Sequence, residues 1–461
     1  MTALPRSSPA AEGVASRGIA AFVDALEAHP SLDPHGMVLL RHGRVIAEGW
    51  WSPYTAERPH LLYSLSKTFT STAVGFAIEE GLLGLDDPLV QHFPAFATEV
   101  PEASRAIRVR DALAMATGHR QEMIQVAVGT DPREPVRGFL LHPPEVAPGT
   151  LFTYNQPATY SVAAIVQQAA GQDLVSYLRP RLLDPLGIGP VSWQQHPPGR
   201  SIGFSGLHAR TEDIAKLGLL HLRDGMWQGR RVLPEGWAAQ VREKRVENPS
   251  QPEEDWRQGY GFQVWMARHG YRGDGAYGQF CVILPEQDAV LATTLATEDM
   301  QAVLDAAWTH LLPAMADGAD VDPAADQALA ARLADLRLTP TEGAAAPDGS
   351  PVADHRGFDL TAHRSDSGSI HLEDGVGHLV LPPPAPGWTV VDDDPSQSPV
   401  AVSGGWDGDV RRIDVLFLES PHRLHLDLLP DGAIRGRWGT APLGLLAGQP
   451  LLEQRAPLPL S

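Results

Sequence analysis

Tyr63-Ser64-Leu65-Ser66-Lys67-Thr68-Phe69-Thr70 opens a run that continues through Ala73, Val74, Phe76, Ala77 and Ile78 to Gly81. Apolar residues at helical spacing followed by glycine predict a helix from about Ser64 to Glu80. A separation of three residues puts the Ser64 hydroxyl and the Lys67 amine on one helical face, a turn apart. Free backbone N–H groups at a helix start favour developing negative charge. A serine needs an adjacent base to attack a carbonyl, and a desolvated lysine can serve. The same four residues also fit simple helix capping by Ser64 or Ser66 beside a surface lysine. The four-residue pattern alone leaves both readings open.

Upstream of this helix, residues 12–28 place Ile19, Phe22, Val23 and Leu26 on one helical face. Two strand-like runs at 37–42 and 44–51 then meet around His42-Gly43, a hairpin signal. Downstream, helices are predicted at 109–116, 157–170, 173–182, 211–224 and 298–314, and strands at 259–268 and within 276–296. Early and late strands sharing one antiparallel sheet, with helices flanking it and a helical lobe inserted, make this an α+β fold. Residues 315–350 hold one short helix and then a small-residue, proline-rich stretch. Short alternating strands split by Gly, Pro and Asp turns follow, as in GFDLTAHR, SIHLED and RRIDVLFLES. They predict a small all-β barrel or sandwich. The expected division is a catalytic domain over 1–320, a linker over 321–344 and an all-β domain over 345–461.

The 461 residues suit two or three domains. A net charge of −20 without a basic cluster argues against nucleic acid and anionic membrane surfaces as partners. A single cysteine, Cys281, excludes a disulfide framework and any cysteine-based zinc site. The 18 histidines form no H-E-x-x-H, so neither metal nor cofactor is expected. The start lacks the apolar segment of a signal peptide, and no apolar run approaches the roughly 18 residues of a membrane span. A cytoplasmic protein is the expectation. Lysine is rare: Lys67, Lys216 and Lys244 are the three in the chain. Arginine cannot accept a proton near neutral pH, whereas a desolvated lysine can. Lys216 reads as a solvated face residue of its helix, Cys281 as an inert core thiol, and Trp50-Trp51 as either a pocket rim or core.

The stretch YSLSKTFTSTAVGFAIEEGLLGLDDPL resembles the nucleophile helix of the serine β-lactamase-related hydrolases, which include class C β-lactamases, family VIII esterases and D-aminopeptidases. IRVRDALAMATGH at 107–119 and PGTLFTYNQPATYSVAAIVQQAAGQDLVSYLRPRLLDPLGI at 148–188 follow in family order. SGLHARTEDIAKLGLLHLRDGMWQGRRVLPEGW at 205–237 and GDGAYGQFCVILPEQDAVLATT at 273–294 complete the series, so the resemblance covers roughly 10–315. It implies the β-lactamase/transpeptidase-like fold, with Ser64 as acyl-accepting nucleophile and Lys67 as its general base. The C-terminal strands resemble the lipocalin-like modules attached to some of these hydrolases.

The family's Tyr-x-Asn motif is matched at Tyr154, the implied proton donor to the leaving group. The sequence departs by reading Tyr154-Asn155-Gln156, so either Asn155 or Gln156 takes the substrate-binding amide role. The third motif, Lys-Thr-Gly or His-x-Gly in relatives, is expected on a strand facing Ser64 at Ala276-Tyr277-Gly278-Gln279. There Tyr277 and Gly278 would contact substrate, and the backbone N–H groups of Ser64 and Gln279 would form the oxyanion hole. No cation stands at that place, although Arg268, His269 or Arg272 lie nearby in sequence. The loss argues against penicillin-like substrates and for a neutral ester or amide. The function so implied is a metal-free serine hydrolase acting on small-molecule carboxylic esters. An amide hydrolase or D-aminopeptidase is the alternative within the class, and a catalytically dormant ligand- or partner-binding homologue is the alternative outside it.

Overall fold

The computed structural model describes residues 3–344, 355–365, 369–375, 377–392, 398–444 and 452. Its centre is a six-stranded antiparallel sheet in the order Arg44–Trp50, Asp33–Arg41, Ala289–Ala296, Gln279–Leu284, Tyr271–Gly275, Trp265–Met266. Early and late strands therefore meet in one sheet, through the pairing of Asp33–Arg41 with Ala289–Ala296. The interior residues of Asp33–Arg41 and all of Ala289–Ala296 are buried, because helices cover both faces. Ser16–Ala28 contributes Ile19, Phe22, Val23 and Leu26 to the core. Thr211–Leu222 lies so close to the sheet that a Cβ on Gly218 would meet Val290 at 2.6 Å and the Cys281 sulfur at 2.8 Å. Cys281 is fully buried, and desolvation pushes its thiol up to about 12; it is an inert core residue.

The helix Ser66–Glu79 runs between the sheet and the helical lobe and is buried from Ser66 to Ala77. Burying so many hydroxyls is tolerable only if each finds a partner. Thr68 donates to the Gln263 carbonyl, Thr70 to that of Gly203, Ser71 to that of Phe262 and Thr72 to that of Thr68. Three of these acceptors lie in irregular chain on either side of the helix, so the polar residues that weaken its amphipathic pattern are the ones that fix its position. Gln156–Ala170 packs against it from the lobe.

Two sequence expectations change. Of the strand expected over 259–268, Trp265–Met266 is the part that forms. Gly259 and Gln263 adopt positive φ there, and such residues turn the chain rather than extend it. Lys216 is not on a solvated face: it is 5% exposed, donates to the Gly187 carbonyl at 3.1 Å and lies 3.5 Å from Asp213.

In the region read as linker, Pro323–Ala334 is a helix capped by the Asp322 carboxylate, with Leu329 and Leu333 buried in the first domain's core. Trp50 faces this helix across a cavity remote from Ser64, and Trp51 is core. The small-residue run at 345–351 lies outside the described residues. Beyond it stand a four-stranded antiparallel sheet, His355–Leu381, and a five-stranded one, Thr389–Thr440. They share a core of Leu360, Leu372, Val402, Val415 and Leu426 and are joined along one edge by the Arg356–Ala433 bridge. Ala401, Leu416 and Leu418 instead belong to the larger core, so this β domain is packed against the first. Among the described residues no helix is long and apolar enough to cross a membrane.

Candidate active site

Ser64 sits in the single 3-10 turn Tyr63–Leu65 that leads directly into the buried helix, and Lys67 is in that helix's first turn. The Lys67 Nζ lies 3.0 Å from the Ser64 Oγ and donates to the Phe204 carbonyl at 2.8 Å. Lys67 is 1% exposed. Desolvation pulls its amine down to about 7, against the opposing pull of Asp274 and Glu122. The Tyr154 ring lies 4.6 Å from the Lys67 Nζ, and its hydroxyl hydrogen-bonds with Ser64. Burial pushes that phenol up, so it stays protonated. The three residues separated by 90 positions in sequence thus form one contact set: a hydroxyl, an amine that can be neutral near pH 7, and a phenol.

The strand facing this set is Tyr271–Gly275, one turn earlier than the sequence reading placed it. A Cβ on Gly273 would sit 2.4 Å from the Thr68 Oγ1, and one on Gly275 would sit 2.0 Å from the Leu62 carbonyl. These two glycines, and not Gly278, allow the strand to approach the serine turn. Gln279 is fully buried, pairs with Gly275 in the sheet, and spends its side-chain amide on the Ala276 and Leu295 carbonyls. Tyr277 and Gly278 form the hairpin turn, and the Tyr277 hydroxyl donates to the Ala441 carbonyl at 2.5 Å. Among Ala276, Tyr277, Gly278 and Gln279, it is Ala276 that lines the pocket with Ser64. Asn155 is likewise withdrawn: its amide is held by the Met123 N–H and Thr117. Of the two, Gln156 lines the pocket.

The pocket encloses about 420 Å³, with Ser64, Tyr154, Trp256, Trp265, Asp274 and Leu443 among its walls. Of the nearby basic residues, Arg272 is fully buried, bonded to Asp274 at 3.1 Å and stacked 4.2 Å from Trp256. Arg268 is tied to Glu254, Asp255 and Asp305, and His269 lies beside Trp308. The lining contains neither Lys nor Arg. From the 120–147 segment, Glu122 approaches by accepting the Gln156 N–H. Among the described residues, no group of three or more His, Cys, Asp or Glu is placed to hold a metal ion. Asp274 and the Gly-x-Gly pair flanking it escaped the sequence reading, although two glycines two apart in a strand-like run are a signal of close backbone approach.

The sequence profile of the Beta-lactamase family matches residues 20–349. The chain belongs to the Beta-lactamase family. A 6-aminohexanoate-dimer hydrolase of Paenarthrobacter ureafaciens is 24% identical over 221 residues, which is 44% of this chain and 56% of that protein. The match thus spans little more than half of that relative. A solved structure of a putative 6-aminohexanoate-dimer hydrolase from Bacillus anthracis has a TM-score of 0.54 at 16% identity, covering 68% of this chain and 87% of that one. The structure of SurE with D-Leu has a TM-score of 0.52 at 20% identity and covers 92% of this chain and 99% of its own. These structural likenesses are likenesses of fold.

In this Beta-lactamase-family chain the C-terminal β domain reaches the serine turn itself. Tyr63, immediately before Ser64, has φ of 47°, a conformation that a bulky residue keeps only when its surroundings hold it. Its hydroxyl lies 2.8 Å from the His422 Nε2 and accepts the Leu443 N–H at 3.3 Å. The His422 Nδ1 faces the Thr440 carbonyl at 3.1 Å. Burial pulls the imidazole down to about 3, so it is neutral. Its one proton is on Nδ1 for the carbonyl, and Nε2 accepts from Tyr63. His422→Ala removes that acceptor from a buried hydroxyl and loosens the residue that aims Ser64. The expected result is a drop of about tenfold or more in the rate at which Ser64 reacts with a fluorophosphonate. His422→Gln, which keeps an acceptor, recovers part of the loss; wild-type labelling rates in His422→Ala would contradict this grip.

Proposed function

We propose that this protein is a serine hydrolase that cleaves small carboxylic esters through an acyl-enzyme on Ser64. The observation carrying the proposal is the 3.0 Å contact between the Ser64 Oγ and an amine on Lys67 pulled down to about 7. A neutral amine accepts a proton; a charged one does not. Lys67 takes the Ser64 proton as Oγ attacks the carbonyl. The oxyanion that forms is stabilised by the backbone N–H groups of Ser64 and Ala276, the latter in the place first expected of Gln279. Two such donors contribute several kcal/mol in a site that excludes water. Tyr154, bonded to Ser64, relays a proton to the departing alkoxide. Water, activated by the same Lys67, then attacks the acyl carbonyl and frees Ser64.

Esters are favoured because the pocket offers no Lys or Arg for a substrate carboxylate, the group that a penicillin-like substrate presents. An amide hydrolase is the second reading, prompted by the 6-aminohexanoate-dimer hydrolase among the relatives. Turnover of p-nitrophenyl butyrate beside the matching p-nitroanilide separates them. The ester reading predicts a kcat/KM advantage for the ester of more than about a hundredfold over the difference in uncatalysed rates. An advantage no larger than the uncatalysed difference makes the protein an amide hydrolase. Absence of both activities in folded protein, together with an unreactive Ser64, leaves a dormant binder.

A further inference from the structure

Asp274 is a buried carboxyl group in the wall of the Ser64 pocket that the hydrolytic steps above do not use. It stands between Gly273 and Gly275, the two positions where the strand closes on the nucleophile turn. A side chain at either would strike Thr68 or the Leu62 carbonyl, so the backbone that carries Asp274 is locked against the turn that carries Ser64. The Asp274 Oδ2 accepts the Arg272 Nε–H at 3.1 Å. Arg272 is itself held in place: it donates to the Asp255 and Met266 carbonyls and lies 4.2 Å from the Trp256 ring. Burial pushes the Asp274 carboxyl up, while Arg272, Lys67 and the Trp265 N–H pull it back. Arg272 is 0% exposed and carries an obligatory charge, and a buried guanidinium needs an ionised partner. Asp274 is therefore a carboxylate.

The groups that meet Lys67 come from every element around it. Ser64 lies on the turn before it, Tyr154 ahead of the lobe helix, Glu122 in the 120–147 segment and Asp274 on the strand. The 203–207 loop presents the Phe204 carbonyl. Tyr260, beside Asp274, is a phenol that burial keeps protonated. When Lys67 takes the Ser64 proton it becomes an ammonium at a position 1% exposed, where an opposite charge acts far more strongly than in water.

We propose that Asp274 is a positioning residue acting through Lys67: a carboxylate fixed by Arg272 that stabilises the ammonium formed as Ser64 attacks. This rests on Ser64 and Lys67 being nucleophile and base, and it assigns the counter-charge of that pair. The step balances within the site: the Ser64 O–H bond breaks, a Lys67 N–H bond forms, and Asp274 keeps its charge throughout.

Because the chain has three lysines, Lys67 can be titrated directly by NMR on full-length protein carrying isotope-labelled lysine, with Lys67→Arg identifying its signal. In the wild type it should titrate at about 7. In Asp274→Asn the ammonium loses its counter-charge and the neutral amine persists to lower pH, so the midpoint should fall by about one pH unit. A weaker base also reacts more slowly. Fluorophosphonate labelling of Ser64 should therefore drop about three- to tenfold above about pH 8 and approach the wild-type rate near about pH 5. Damage to the fold alone would lower the rate equally at every pH. Asp274→Glu should restore both readouts in part, and Glu122→Gln should move the midpoint less than Asp274→Asn. If Asp274→Asn does not fold, Arg272→Met/Asp274→Asn leaves no buried charge unpaired and should shift the midpoint in the same direction, because Asp274 rather than Arg272 acts on Lys67. A midpoint unmoved by removal of Asp274, or moved as far by Glu122→Gln, overturns the role of Asp274 and leaves nucleophile and base intact. A shifted midpoint in protein whose Ser64 takes no label keeps the Asp274–Lys67 pair and overturns the esterase.

Discussion

Ser64→Ala lowers hydrolysis of any ester the wild type turns over by about 10⁵-fold or more, with the fold retained. Loss of a nucleophile in a comparable serine hydrolase costs about 10⁶ in kcat, and what remains reflects binding and oxyanion stabilisation alone. The fold should survive because Ser64 is only partly buried and belongs to no core cluster; its neighbours Leu62, Tyr63 and Leu65 are the buried ones. The Lys67 amine loses one partner but keeps the Phe204 carbonyl at 2.8 Å. The check is steady-state kinetics with circular dichroism and thermal melting on the same sample. A variant retaining more than about one per cent of wild-type activity would show that another residue attacks the carbonyl.

The second large effect belongs to Lys67 and is read most sharply as a pH profile. Desolvation disfavours the charged amine and pulls it from 10.5 to about 7, while Asp274 and Glu122 push the other way. The working form of a base is the unprotonated one, so activity appears as pH rises through the folded value and is lost below it. Ester kcat/KM should climb about tenfold per pH unit below 7 and flatten above it. A climb that continues toward pH 10 would mean an ordinary exposed amine and another base. Lys67→Arg keeps the charge but cannot accept a proton near neutral pH. It should lose about 10² to 10⁴ in kcat across the whole profile. Arg there would also carry an obligatory charge into a site where Lys67 is 1% exposed, so thermal stability should fall with it.

What could be read directly from the chain was what short-range geometry controls. Ser64 and Lys67 are three apart at a helix start, and helical spacing alone brings their side chains together. The sheet order followed from apolar runs at the two ends of the first domain, since Met37–Leu40 and Val290–Ala292 have nowhere to hide except beside each other. The second domain's strands were visible in their alternation.

The misreadings occurred where one residue of phase or a contact across hundreds of positions decides the outcome. Asn155 is the last extended residue and Gln156 the first helical one. That single step turns one amide into the lobe and leaves the other at the pocket. Ala276, and not Gln279, lines the pocket because Tyr277 and Gly278 have positive φ and turn the chain between the two strands, which places Gln279 opposite Gly275 in the ladder. Leu443 and His422 lie 380 and 359 positions from Tyr63, so no local pattern announces that the second domain holds the residue before the nucleophile. Asp274 is an unremarkable acid in sequence and acquires meaning only from its place beside Arg272 and Lys67.

Whether Ser64 is an activated nucleophile can be measured without knowledge of the substrate. Folded full-length protein is treated with a fluorophosphonate and digested, and the modified residue is located by peptide mass spectrometry. One adduct is expected, on Ser64, absent in Ser64→Ala and formed far more slowly in Lys67→Arg. An intact protein that takes up no label, or takes it up at a different serine, would contradict it.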